Sequence, residues 1–301
     1  MPSEAGAMRR PVLAVHGGAW DWADDLDEPK AAGLREALAA GYAILENGGS
    51  ALDAVEIAVR SLEDDPVFDA AYGGYLNQDG IVQLDALIFD GDTGDFGAVA
   101  GVTTTSHPVS LARRVLDDVP ECFYVGSGAD RLAERVGLAD VVGRSLETPA
   151  MRDFFNDQRT DGPRDTVGAI AMDNSGRLAS ATSTSGTPYK PAGRVGDSAI
   201  FGAGGYAQVG VAAVGTTGNG EQIYRALLAK YASDCVALGM SANDAAQAAA
   251  QYFEQRFPAS MSGVILIDHQ GRFSSSQTAP KLAHGWIAET AKPQTAMRTK
   301  T

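Results

Sequence analysis

The sequence predicts an α+β protein in which stacked β-sheets carry helices on their outer faces. Three observations support this. Strand-like and helix-like runs follow one another in blocks, not in the strict alternation of a βαβ repeat. The chain has 301 residues, a length at which layered architectures are favoured over one growing core. Its 45% hydrophobic and 21% charged composition can fill a large core without disulfides or metals.

In chain order, "PVLAVHGGAW" predicts a short buried strand that runs into a Gly-Gly turn, and 29–49 a helix stopped by glycines. A second helix opens on the capping box Ser50-Ala51-Leu52-Asp53 and keeps Leu52, Val55, Ala58 and Leu62 at helical spacing. "IVQLDALIFD" and "DFGAVAGV" form a hairpin across the turn "GDTG". Pro108 starts a helix, followed by a short strand, "CFYVG", and a helix from Ser127. The charged, Pro- and Gly-bearing stretch 144–165 lacks a sustained apolar face and is expected to be an exposed linker. Strands are then expected at 166–172, 177–184, 198–202 and 211–216, helices at 220–237 and 242–256, and a last pair of strands in "SGVILIDHQG" and "RFSSS".

Composition also excludes partners. With 24 basic and 38 acidic residues the formal net charge is −14, which repels nucleic acid and anionic membranes. No apolar run suits a signal peptide or a membrane span. Cys122 and Cys235, both in apolar segments, are expected to be buried reduced thiols in a cytoplasmic protein. The four histidines, His16, His107, His269 and His284, lack metal-ligand spacing. The Gly-rich run "FGAGGYAQVG" fails the dinucleotide spacing and is followed by a strand where that fold needs a helix.

The chemistry-bearing stretch is "RDTVGAIAMDNSGRLASATSTSG", 164–186. The four-residue turn 173–176 should set Met172 against Arg177, and so bring Thr166 opposite Ser183 and beside Thr184. Threonine is an ordinary strand residue, but Thr166 follows the linker directly. Were the Asp165–Thr166 bond cut, its new α-amino group, with a reference pKa near 7.7–8.0, could take the proton of its own hydroxyl. Arg194 and Asp197 in "GRVGDS" suit the carboxylate and ammonium of an amino acid, or else form a surface ion pair. At Thr216-Thr217, before a helix near Gly220, backbone N–H groups and the Thr217 hydroxyl could hold an oxyanion.

Together, "TVGAIAMD", "TSTSG", "GRVGDS" and "TGNGE", with "VHGGAW", "GGSALDAVE", "LDALIFDG" and "GAVAGV" earlier, resemble the threonine branch of the N-terminal nucleophile hydrolases: plant-type asparaginases/isoaspartyl aminopeptidases and glycosylasparaginases. The resemblance spans nearly the whole chain. It implies an αββα four-layer sandwich, one domain cut into an α subunit 1–165 and a β subunit 166–301, paired as a dimer of heterodimers. It implies Thr166 as nucleophile, Thr184 and Thr217 as supporting hydroxyls, Arg194, Asp197 and Gly220 at the substrate, and Thr217 with Gly218 as oxyanion hole. The substrate would be asparagine or a β-aspartyl peptide, with glycosylasparagine as the alternative and an unprocessed binding protein as another. No cofactor serves catalysis, but a structural Na⁺ on the backbone of Leu62, Asp65, Phe68, Ala70 and Tyr72 is implied. Two departures stand out. Asp165 precedes the nucleophile where plant-type members usually have Gly, and Asp69 replaces the asparagine of a usual "FNAG" stretch, bringing a carboxylate near the pocket.

Overall fold

The computed structural model describes residues 9–143, 145–160, 162, 166–288 and 292–298; Asp165 lies outside them. The first half builds β1 (Val12–Trp20), α1 (Asp27–Glu46), α2 (Ala51–Glu63), β2 (Leu84–Asp90), β3 (Phe96–Val102), α3 (Pro108–Asp118), β4 (Phe123–Val125), α4 (Gly126–Val136) and α5 (Pro149–Asn156). The second half builds β5 (Val167–Met172), β6 (Leu178–Thr184), β7 (Gly205–Gln208), β8 (Ala212–Gly218), α6 (Gly220–Ala226), α7 (Leu228–Ala237), α8 (Ala242–Arg256), β9 (Ser262–Asp268), β10 (Phe273–Gln277), β11 (Lys281–Ile287) and β12 (Gln294–Ala296).

The strands make an eight-stranded sheet, β12-β11-β1-β5-β6-β2-β3-β4, and a four-stranded sheet, β10-β9-β8-β7. Alternation along each strand divides the apolar side chains between two cores. Leu13, Val15, Val167, Ala169 and Ala171 meet helices α1 to α4 through Leu34, Leu38, Val55, Leu62, Val109 and Leu132. Val12, Ala14, Ile170 and Met172 point the other way, into a core shared with β8, β9 and the alanine-rich faces of α7 and α8. The layers run helix, sheet, sheet, helix, which is the expected αββα sandwich. Strands covered on both faces explain why β1, β5 and β9 read as continuous apolar runs.

The capping box is real: Ser50 Oγ accepts from Asp53 N–H at 3.1 Å and donates to Asp53 Oδ2 at 2.7 Å. Several expectations are corrected. β1 continues through Gly17-Gly18, with a register shift between His16 and Ala19 that absorbs them. The segment 198–202 is not a strand, because the Asp197 carbonyl accepts from Ile200 and Gly204 N–H and curls it into a 3₁₀ turn, Asp197–Ala199. The helix expected over 220–237 is two, α6 and α7. Two further strands follow the expected last pair, and β11 lies against β1. Within 144–165, Thr148 Oγ1 accepts from Met151 N–H at 3.2 Å and caps α5, whose Met151 and Phe155 pack on Ala71, Leu76 and Leu84. Cys122 is exposed, just ahead of an edge strand; Cys235 is buried. No helix of the described residues is long and apolar enough to cross a membrane.

Leu227 joins α6 to α7 at φ +47°, left-handed, with 46% of its surface exposed. A branched side chain is strained there and buries little. Leu227→Gly should therefore raise stability by about 1 kcal/mol, read as a higher denaturant midpoint at unchanged slope.

Candidate active site

The β5–β6 turn decides how the hydroxyls meet. Asp173 Oδ1 accepts from the N–H groups of Ser175 and Arg177, at 2.9 and 3.1 Å, and Oδ2 from Arg177 Nε at 2.8 Å. Folding Arg177 into the turn pairs Met172 with Leu178, and Val167 with Ser183. The expected register was one residue short: Thr166 comes level with Thr184, not Ser183, so the two threonines share a face.

Thr166 is buried at the head of β5 between β1 and β6. Its Oγ1 lies 3.2 Å from Ser198 Oγ, and its carbonyl accepts from His16 Nδ1 at 3.0 Å. Burial pushes the His16 pKa down to about 4, so the ring is neutral near pH 7, its Nδ1–H tautomer set by that bond. Thr184 Oγ1 accepts from Gly186 N–H at 2.9 Å. Thr166, Thr184, Gly186, Thr187, Arg194, Gly196, Asp197, Gly218 and Gly220 line one narrow pocket.

β8 supplies the next wall. Its end is held by Asn219, whose N–H donates to the Met261 carbonyl at 2.8 Å and whose Oδ1 accepts from Met261 N–H at 2.6 Å. Gly218 adopts φ +132°, and a methyl group there would stand 2.3 Å from the Met261 carbonyl oxygen, so only glycine fits. Thr217 Oγ1 and Asp197 Oδ2 are buried without a hydrogen-bond partner among the described residues. Orphaned buried polar atoms are costly; Asp197 lines the pocket, and Thr217 directly precedes the pocket-lining Gly218.

Arg194 donates from Nε to Glu221 Oε1 at 2.8 Å, with Nη2 2.7 Å from the same oxygen. Burial raises the Asp197 pKa to about 7 despite the Arg194 charge that opposes it. Behind the pocket Lys190, fully buried, donates to the Gln83 carbonyl at 3.0 Å and lies 4.0 Å from Asp85 Oδ2. Burial pulls its pKa down, while Asp85 raises it. Asp85 accepts from Gly101 N–H at 2.8 Å and pairs across the sheet with Thr184.

Thus Thr166, Thr184, Arg194, Asp197, Gly218 and Gly220 converge, with Thr217 one residue behind the wall. Asp69 is not in the lining: its Oδ1 accepts from Tyr75 N–H at 3.1 Å and from the Ser185 hydroxyl, which sets its carboxylate behind Thr184-Ser185. Sequence reasoning did not assign His16, Ser198, Asp85 or Lys190 to the site. Ser198 ends the "GRVGDS" motif and His16 opens "HGG"; nothing local singles out Asp85 or Lys190.

A threonine at the head of a central strand of an αββα sandwich, facing a pocket with an arginine and an aspartate, defines the threonine branch of the N-terminal nucleophile hydrolases. Within that class the chain belongs to the asparaginase family, whose model matches residues 9–297. It is 41% identical over 287 residues to "Isoaspartyl peptidase/L-asparaginase" of Mus musculus, covering 92% of this chain and 87% of that protein. The Homo sapiens protein of the same name is 38% identical over 288 residues, 92% of each chain, and that of Xenopus laevis 39% over 280 residues, 89% of this chain and 90% of its own.

Only an ionised Asp197 offers a negative charge to a cationic group in the pocket, so affinity for an α-amino acid is expected to improve as pH rises through about 7, measurable by titration calorimetry at pH 6 and 8. The stability sign is opposite. With a native pKa above the ordinary carboxylate value of 3.8, the folded state holds a proton that the unfolded chain releases, so stability falls as pH rises from about 4 to 7. Asp197→Asn should raise the melting temperature at pH 8 by a few degrees while abolishing binding; an unchanged melting temperature would contradict the buried carboxylate.

Proposed function

We propose that the protein is a self-processing amidohydrolase that cleaves the side-chain amide of asparagine and the β-aspartyl peptide bond. The observation that carries this reading is the convergence of Thr166 Oγ1 with Arg194, Asp197 and Gly218 on one pocket. The relatives' names agree with it.

In maturation, Thr166 Oγ1 attacks the Asp165 carbonyl through a five-membered ring. The Thr166 nitrogen leaves as an amine, an ester links the two parts, and water hydrolyses it to the Asp165 carboxylate and a free Thr166. In turnover, Arg194 takes the substrate's α-carboxylate and ionised Asp197 its α-ammonium. The Thr166 amine accepts the hydroxyl proton as Oγ1 attacks the side-chain carbonyl. The Thr217 hydroxyl, with Gly218 N–H, stabilises the oxyanion, and Thr184 donates to the nucleophile. The leaving ammonia or amino acid takes the proton, and water then cleaves the β-aspartyl-Thr166 ester.

The loop after α2 suits a structural Na⁺. The carbonyls of Phe68, Ala70 and Tyr72 accept no hydrogen bond among the described residues, whereas that of Asp65 accepts from Phe68 N–H at 3.1 Å. Carbonyl oxygens of Leu62, Asp65, Phe68, Ala70 and Tyr72 would hold it, and it would stiffen the loop beneath α1, with no part in the chemistry. The protein is expected to pair as two αβ units, as its family resemblance implies. An exposed free thiol, Cys122, suits the reducing cytoplasm we assign.

Intact mass after incubation tests the reading. Fragments 1–165 and 166–301 are expected, and a single uncut chain for Thr166→Ala. A permanently intact wild-type chain would leave only a binding role. The matured protein should turn over asparagine and β-Asp-Leu; turnover of N-acetylglucosaminyl-asparagine alone would make it a glycosylasparaginase. Thr217→Val should lower kcat about 100-fold with a smaller change in KM, separable in a substrate titration.

A further inference from the structure

The geometry points to Glu221 as the residue that positions Arg194 for the substrate carboxylate. This rests on the functional reading above and adds a residue to it.

The guanidinium carries five N–H donors in a plane. Glu221 Oε1 takes the edge formed by Nε and Nη2, at 2.8 and 2.7 Å. The other end is enclosed by glycines. A methyl group on Gly196 or Gly186 would stand 2.9 or 3.0 Å from Nη1, and one on Gly220 3.0 Å from Nη2 and 2.8 Å from Asp197 Oδ1. The plane therefore lies in a slot bordered by pocket-lining glycines, beside Asp197.

Glu221 is at the protein surface, with 53% of its side chain exposed, while that of Arg194 is only 15% exposed. Its carboxylate acts from outside the pocket. It occupies the Nε and Nη2 edge and leaves the Nη1 end, which is flanked by the pocket-lining Gly186 and Gly196, for a second carboxylate. An arginine not held in this way would lose side-chain freedom when it binds. Glu221 removes that cost beforehand. Substrate is held by Arg194, and Glu221 acts through it as a positioning residue.

The test uses the matured protein, with L-aspartate as calorimetric probe and β-Asp-Leu as substrate. Glu221→Ala should weaken aspartate binding about tenfold and raise KM to the same extent, with kcat within about threefold of wild type. Glu221→Gln, which keeps an acceptor oxygen, should recover most of the affinity and serves if the alanine variant does not fold. Equal yields of the two fragments and an equal melting temperature exclude a general structural effect. Unchanged affinity in both variants would overturn the role, and so would tighter binding, since Glu221 would then be a competitor for Arg194. Wild-type protein that binds no aspartate would overturn the functional reading and this role with it.

Discussion

Covering the central strands on both faces is the constraint on which the site depends. β1, β5, β6 and β2 lie between a helical layer and a second sheet, so along most of their length no side chain can meet a ligand. Chemistry is confined to the strand ends. Thr166 precedes β5, Thr184 ends β6, and Gly218 ends β8, all at one edge of the sandwich. The Asp173 turn at the far end of the β5–β6 hairpin sets their register, so a polar contact remote from the pocket determines which hydroxyl faces Thr166.

Polar burial in this region is costly for the fold and useful for a ligand. Among the described residues, Asp197 Oδ2 and the Thr217 hydroxyl have no hydrogen-bond partner, and the Asp197 pKa is raised to about 7. Such groups reduce stability until a ligand satisfies them. The fully buried Lys190 and Asp85 each have one backbone hydrogen bond, while Asp85 Oδ2, 4.0 Å from Lys190 Nζ, has no hydrogen-bond partner among the described residues. Asp85 sits across the sheet from Thr184 and Lys190 belongs to the loop between Gly186 and Arg194, so the pair ties that loop to β2. Rigid positioning of this kind holds the pocket wall around Gly186 and Arg194 in one geometry.

Several neighbours of Thr166 act through backbone. His16 fixes the Thr166 carbonyl, and Asn219 clamps the turn that carries Gly218 onto Met261. The β1–β5 register, which pairs His16 with Gly168 and Gly17 with Val167, brings His16 there. Sequence blocks such as "VHGGAW" and "TGNGE" therefore encode support as well as contact.

By itself the sequence determined the layered α+β class, most helices, the hairpins and the segments that carry Thr166, Arg194, Asp197 and Gly218. These follow from local signals: hydrophobic period, caps, turn residues and motif order. Tertiary structure alone decided the β5–β6 register, the 3₁₀ turn at Asp197, the break at Leu227, the place of β11 beside β1, and the partnerships of His16, Asp85, Lys190 and Glu221. Each depends on residues distant in sequence, or on a turn side chain that changes the count by one. Periodicity records which face of an element is buried, but which element covers that face, and which buried polar atoms find partners there, is settled only when the layers close.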